Sequence, residues 1–187
     1  MADRSSPATP TTPATPSAGA LAFARARGWS STLDAQTLIA AAHAPEPRPG
    51  PATFAAALVE GAVLVATADR TIERDELGAL AGLLQAMTGQ PGDRDELAGV
   101  IYDFAALSHA QGRKNRLLAL ARVLPNEENR HDVLAFTALV ALCHTGLSAA
   151  ERDMLASLAT AFSLPPAALD DAVARAQAAL SSVPAAG

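Results

Sequence analysis

The chain has 187 residues, enough for one compact domain with a tail and hardly enough for two domains. Half of its residues are hydrophobic but only 4% are aromatic, so Ala, Leu and Val must build the core, a composition that favours packed helices. The formal net charge is -5 and Lys114 is the only lysine, which argues against nucleic acid as a partner, because that affinity rests on clustered Lys and Arg neutralising phosphates.

Residues 1–19, opening "MADRSSPATPTTPATPS", alternate Pro with Ala, Thr and Ser. Frequent Pro removes backbone donors and biases each preceding residue away from helix, so a disordered, partly extended tail is expected. The tail has no apolar h-region, and no segment of the chain reaches the roughly 18 apolar residues that span a bilayer. The expectation is therefore a cytoplasmic protein without a signal peptide, not an integral membrane protein.

Residues 20–44 differ: Arg25, Arg27 and the only tryptophan, Trp29, precede a Ser-Thr helix start and an apolar run through Leu33, Leu38 and Ile39. Such an island either packs back on the domain as a docking helix or binds a partner through Trp29, Arg25, Arg27, Leu33 and Leu38. The residues leave both open. "PEPRPGP" then opens a Pro-rich linker over residues 45–52.

From residue 53 to about 180 every segment reads as helix. Residues 53–68 are apolar nearly all round, the mark of a central helix. Leu77, Leu80, Leu84 and Met87 share one face of the next, which "TGQPGD" stops. Asp93 with Glu96 three residues on starts another, through Val100, Ile101, Phe104 and Leu107. After "QGRKN", Leu117, Leu120 and Leu124 mark a helix that Pro125 ends, and Val133 to Leu142 form a strongly apolar one. The single cysteine, Cys143, follows in "LVALCH"; it can form no internal disulfide and reads as a buried reduced thiol. Ser148 and Glu151 form a capping box for the next helix, and Leu169, Val173 and Ala176 give a final amphipathic one. Period-2 alternation never persists, so the expected fold class is all-α: a single bundle of about six to eight helices.

No P-loop, dinucleotide glycine motif or nucleophile elbow appears, and no enzyme class is expected. Glu128 and His131 give one E-x-x-H where a di-iron bundle needs two, and read as an exposed polar turn. Cys143 and His144 are adjacent and so point to different helix faces, poor geometry for a nucleophile and its base. "GRKNR", Gly112 to Arg116, reads as a solvated basic helix start.

Slid by 75 residues, the chain lies over itself: "GAVLVATADRTIERDELGALAGLLQAM" meets "FTALVALCHTGLSAAERDMLASLATAF". Leu64, Val65 and Ala66 meet Leu139, Val140 and Ala141; Glu76 meets Glu151, and Leu80 meets Leu155. Ile72 and Leu147 plug the corner between two helices, and the Glu follows in the first turn of the second helix, where the macrodipole favours an acid. The order "Ala68-Asp69-Arg70-Thr71-Ile72 … Glu76", echoed by "Cys143-His144-Thr145-Gly146-Leu147 … Glu151", resembles the TerB-like family of tellurite-resistance and related bacterial proteins. There both halves typically read A-D-G-x-I/L-x-x-x-E; here Arg70 and Thr145 stand for Gly, and His144 for Asp. The resemblance covers roughly residues 53 to 178.

It implies an all-helical domain with an internal pseudo-repeat, working in a bacterial stress-response or assembly context. The leading expectation is a non-catalytic interaction or adaptor module, with its N-terminal tail tethering or recruiting a protein partner, and with homodimerisation open to it through an exposed Ala-rich face. The alternative is a divalent-cation sensor acting through the inter-helix corners at Asp69, Glu73, Asp75, Glu76 and Glu151. The corner lacks the Gly of a sharp calcium loop and holds Arg70 and Arg74, which favours caps and ion pairs over a cation. No other cofactor is expected.

Overall fold

In a computed structural model, which describes residues 16–29, 33–69, 72, 74–88, 94–143 and 146–182, those residues form nine helices and no strand. They are α1 (Pro16–Ala26), α2 (Ala35–His43), α3 (Pro51–Ala66), α4 (Arg74–Thr88), α5 (Arg94–Gln111), α6 (Arg113–Val123), α7 (Glu127–Ala141), α8 (Ala149–Ala161) and α9 (Ala168–Ser182). The fold is an all-α bundle, as the composition predicts. Among the described residues no helix is long and apolar enough to cross a membrane.

Local chemistry sets the helix ends. Pro51 occupies the first turn of α3, where a missing N–H costs nothing. Asp34 accepts from the Thr37 N–H at 2.7 Å to start α2, and Asn126 accepts from the Asn129 N–H at 2.7 Å to start α7. The Ser148–Glu151 capping box is present at α8: Ser148 Oγ accepts from the Glu151 N–H, and Glu151 Oε2 accepts from the Ser148 N–H. The Asp93 start predicted for α5 lies outside the described residues.

The core forms around α3 and α7. Every residue from Ala55 to Ala66 and from Asp132 to Ala141 is buried, so both helices are enclosed on all sides. They cross closely because Gly61 has no side chain: a Cβ there would stand 3.1 Å from both Thr137 Oγ1 and Val133 Cγ1. Around this pair, α2 packs on α3 and α5, α1 on α4, and α9 on α7.

The repeat appears in the helix boundaries themselves. α3 ends at Ala66 and α4 starts at Arg74; α7 ends at Ala141 and α8 starts at Ala149, each boundary shifted by 75 residues. Glu76 and Glu151 are both buried, at 2% and 1% exposure, as are the pairs Leu80 and Leu155, Leu83 and Leu158. The two corners lie near one another, since Cys143 in one feels the charges of Asp75 and Glu76 beside the other.

One expectation is corrected. Helix α1 begins at Pro16, inside the stretch read as tail, because Pro is well suited to a first helical turn and Ala20, Phe23 and Ala24 then meet the core. The stretch expected to hold six to eight helices holds seven, α3 to α9, and α1 and α2 bring the described residues to nine. Residues 1–15 of the predicted tail lie outside the described residues.

Candidate functional site: a cleft above a buried ion pair

The residues expected to bind a partner are mostly spent inside the fold. Leu38 is buried, and Leu33 and Trp29 pack against the core. Trp29 stands edge-on to Phe23 and to Phe54, each with ring centroids 5.6 Å apart, and 6.2 Å from Phe136. Arg27 lies 2.9 Å from Asp132 Oδ1 and its guanidinium sits over the Phe23 ring at 5.8 Å. Of that set only Arg25 remains exposed. The island is therefore a packed part of the bundle, since burying these aromatic rings outweighs leaving them free for a partner.

The corner acids differ in exposure. Asp69 and Asp75 are exposed, Glu76 and Glu151 are buried, and Glu73 lies outside the described residues, as do Arg70, Thr71, His144 and Thr145. The Glu151 carboxylate is committed to the Ser148 N–H at 2.7 Å. Among the described residues no three His, Cys, Asp or Glu side chains gather as a metal would require. Cys143 donates to Leu139 O at 3.1 Å, and burial, with the Asp75 and Glu76 charges, pushes its thiol up to about 12, which leaves it a weak nucleophile. His131 lies 3.5 Å from Glu127 one helical turn earlier.

Charge converges elsewhere. Glu60 is the sole charged residue of α3 and is 1% exposed. Arg116 reaches it from α6: Nε donates to Glu60 Oε1 at 2.5 Å and Nη2 to Oε2 at 2.6 Å, a two-pronged pair. Nη1 donates to Gln111 Oε1 at 3.0 Å, and Nη2 also approaches the Ala42 carbonyl at 3.5 Å. Burial pushes the Glu60 carboxyl above its ordinary value, against the pull of Arg116 and, more weakly, His43.

Of the basic turn read as solvated, Gly112 to Asn115 are exposed as expected, and Arg116 alone is buried. Arg113 donates to the Ala68 carbonyl at 3.3 Å and to the Thr67 carbonyl, closing the C-terminal end of α3, while Arg116 turns inward. Arg130 plays the same part between two other helices, donating to Leu124 O and Phe162 O at 2.9 Å each. Sequence reasoning passed over both ends of the ion pair. The signal was present: a lone carboxylate in an otherwise apolar helix needs a buried cation, and "GRKNR" is one of the few basic clusters able to supply it.

Above the pair opens a cleft of about 590 Å³ between α2, α3 and α6. Glu60 and Arg116 line it together with Ala41, His43, Ala119 and Arg122, so two guanidiniums and an imidazole face one carboxylate. The 45–51 linker forms one wall through Pro45 and Pro47, and is pinned by Thr53 Oγ1 donating to Arg48 O at 2.6 Å.

The chain matches no protein-family model, no curated protein and no solved structure. The TerB-like resemblance rests on the corner residues alone.

Proposed function

We propose that the chain is a non-catalytic helical interaction module of the TerB-like kind, and that it takes a protein partner in the α2–α3–α6 cleft. The observation that carries this reading is the Glu60–Arg116 pair. Each group satisfies the other through two hydrogen bonds, so the pair is a poor proton donor or acceptor and a good rigid floor. What is left for a ligand is a concave surface rich in Ala and Pro, rimmed by the His43 imidazole and the Arg122 guanidinium. That chemistry suits an apolar segment carrying a carboxylate, with the Arg122 charge steering approach and the small side chains admitting bulk. The stress-response or assembly setting and the cytoplasmic location belong to the same proposal and rest on the corner resemblance.

The structure changes how recruitment should be tested. Removing residues 1–50 would strip Phe23, Trp29 and Leu38 from the core, so loss of binding would then report unfolding. The discriminating variant is Ala119→Trp, which fills the cleft from the half-buried face of α6. The tagged full chain should retain a specific protein from extracts of its source. Ala119→Trp and Arg122→Glu should each lose that protein at unchanged melting temperature. Retention of the same proteins by both variants would reject the cleft as the binding surface.

A further inference from the structure

Beside the cleft lies a second hollow of about 350 Å³, lined by Trp29, Pro49, Pro51, Phe54, Pro125 and Asn129. Its floor is an aromatic step, Trp29 edge-on to Phe54, and its walls are pyrrolidine rings. Among the described residues neither the Trp29 indole N–H nor the Asn129 side-chain amide donates to any group. An aromatic step between proline rings with two uncommitted N–H donors matches one kind of ligand. That ligand is a polyproline II strand, which stacks its rings on aromatic surfaces and leaves every carbonyl free because it has no internal hydrogen bonds.

The sequence supplies such a strand. Pro7, Pro10, Pro13 and Pro16 recur every third residue, the repeat of a polyproline II helix, so their rings would fall along a single edge. Reach is sufficient. α1 has 11 residues and is therefore about 16 Å long, ending two positions before Gly28 at the hollow. In a polyproline II conformation, at ~3.1 Å per residue, the nine steps back from Pro16 to Pro7 would span about 28 Å.

We propose that the hollow is the docking groove for the chain's own Pro7–Pro13 segment, held as a polyproline II strand folded back along α1. This makes no use of the Glu60–Arg116 cleft, so the two assignments stand or fall separately.

Trp29 is the only tryptophan, and its emission reads the groove directly. The test compares acrylamide quenching of the full chain with that of the full-chain variant Pro7→Ala, Pro10→Ala, Pro13→Ala, with far-UV circular dichroism confirming equal helix content. The variant should lose protection from quenching. A short tether holds its segment at an effective concentration on the order of millimolar. A synthetic peptide of residues 5–17 at that concentration should therefore restore the protection. The single Trp29 indole N–H resonance gives an independent readout and should move between the two proteins and return with peptide. Equal quenching and an unmoved resonance would overturn the proposal. Protection that disappears when the full chain is diluted would overturn it as well, by assigning the groove to a second copy's tail.

Discussion

Glu60 and Arg116 are the residues whose chemistry departs furthest from their surroundings. Removing one partner strands the other at 1% or 7% exposure. Breaking a buried pair costs about 3–5 kcal/mol, whereas replacing both members by apolar residues is often neutral. Glu60→Leu and Arg116→Leu should each lower stability by that amount in urea unfolding. The double variant should recover most of the loss; losses that simply add would mean the two side chains do not act as a pair. Asp132 gives a pH signature. Burial raises its carboxyl above 3.8, against the Arg27 charge, so the folded state holds this proton more tightly than the unfolded state. Its contribution to stability is complete below the unfolded value and declines as pH rises through the folded one. Asp132→Asn should therefore gain on the wild type in thermal melts as pH rises above the ordinary carboxylate range and the wild-type carboxyl ionises. Movement in the opposite direction would mean that Arg27 outweighs burial.

At the scale of elements, helix periodicity made α3 to α9 legible because each carries an apolar stripe or, in α3 and α7, an apolar surface all round. The capping box at Ser148 was legible too, since its three-residue spacing states both hydrogen bonds. α1 was not. Its Ala-rich stretch "PSAGALAFARA" follows a Pro-rich run, and only contact with α4 and α7 distinguishes it from tail. The ion pair was equally obscure, because 56 residues separate its members and periodicity carries no information about long-range partners. Arg130 illustrates the same limit: its hydrogen bonds run to the ends of α6 and α8, which no local pattern announces. The α3–α7 crossing depends on Gly61. Gly61→Ala gains about 1 kcal/mol in helix propensity but forces a methyl to 3.1 Å from Thr137 and Val133, a form of overpacking that costs about 1–3 kcal/mol. Both neighbours sit on an enclosed helix and cannot retreat, so overpacking should win and the melting temperature should fall. Thr137→Ala in the same chain should lose less than the sum of the two single changes. Strict additivity would show that the helices are not in contact there.

The whole molecule is a duplicated helical arrangement whose two central helices share one core, with α1 and α2 packed against it from the N-terminal side. The 75-residue shift between corners was readable in sequence, and the identical shift of the helix boundaries follows from it. The cleft breaks that symmetry, because the equivalent of Glu60 in α7 is Ala135, so this position carries a carboxylate in the first copy alone. The charged floor of the cleft therefore belongs to the first copy's central helix. That asymmetry is what the interaction reading uses. It is tested most directly by placing a photoreactive benzoylphenylalanine at Ala119 in the cleft, and separately at the exposed Ala178 of α9, in chains expressed in their source cells. A discrete protein adduct from position 119, absent from 178 and abolished by Arg122→Glu, is the expected result. Indistinguishable adduct patterns from the two positions would contradict a partner held in the cleft.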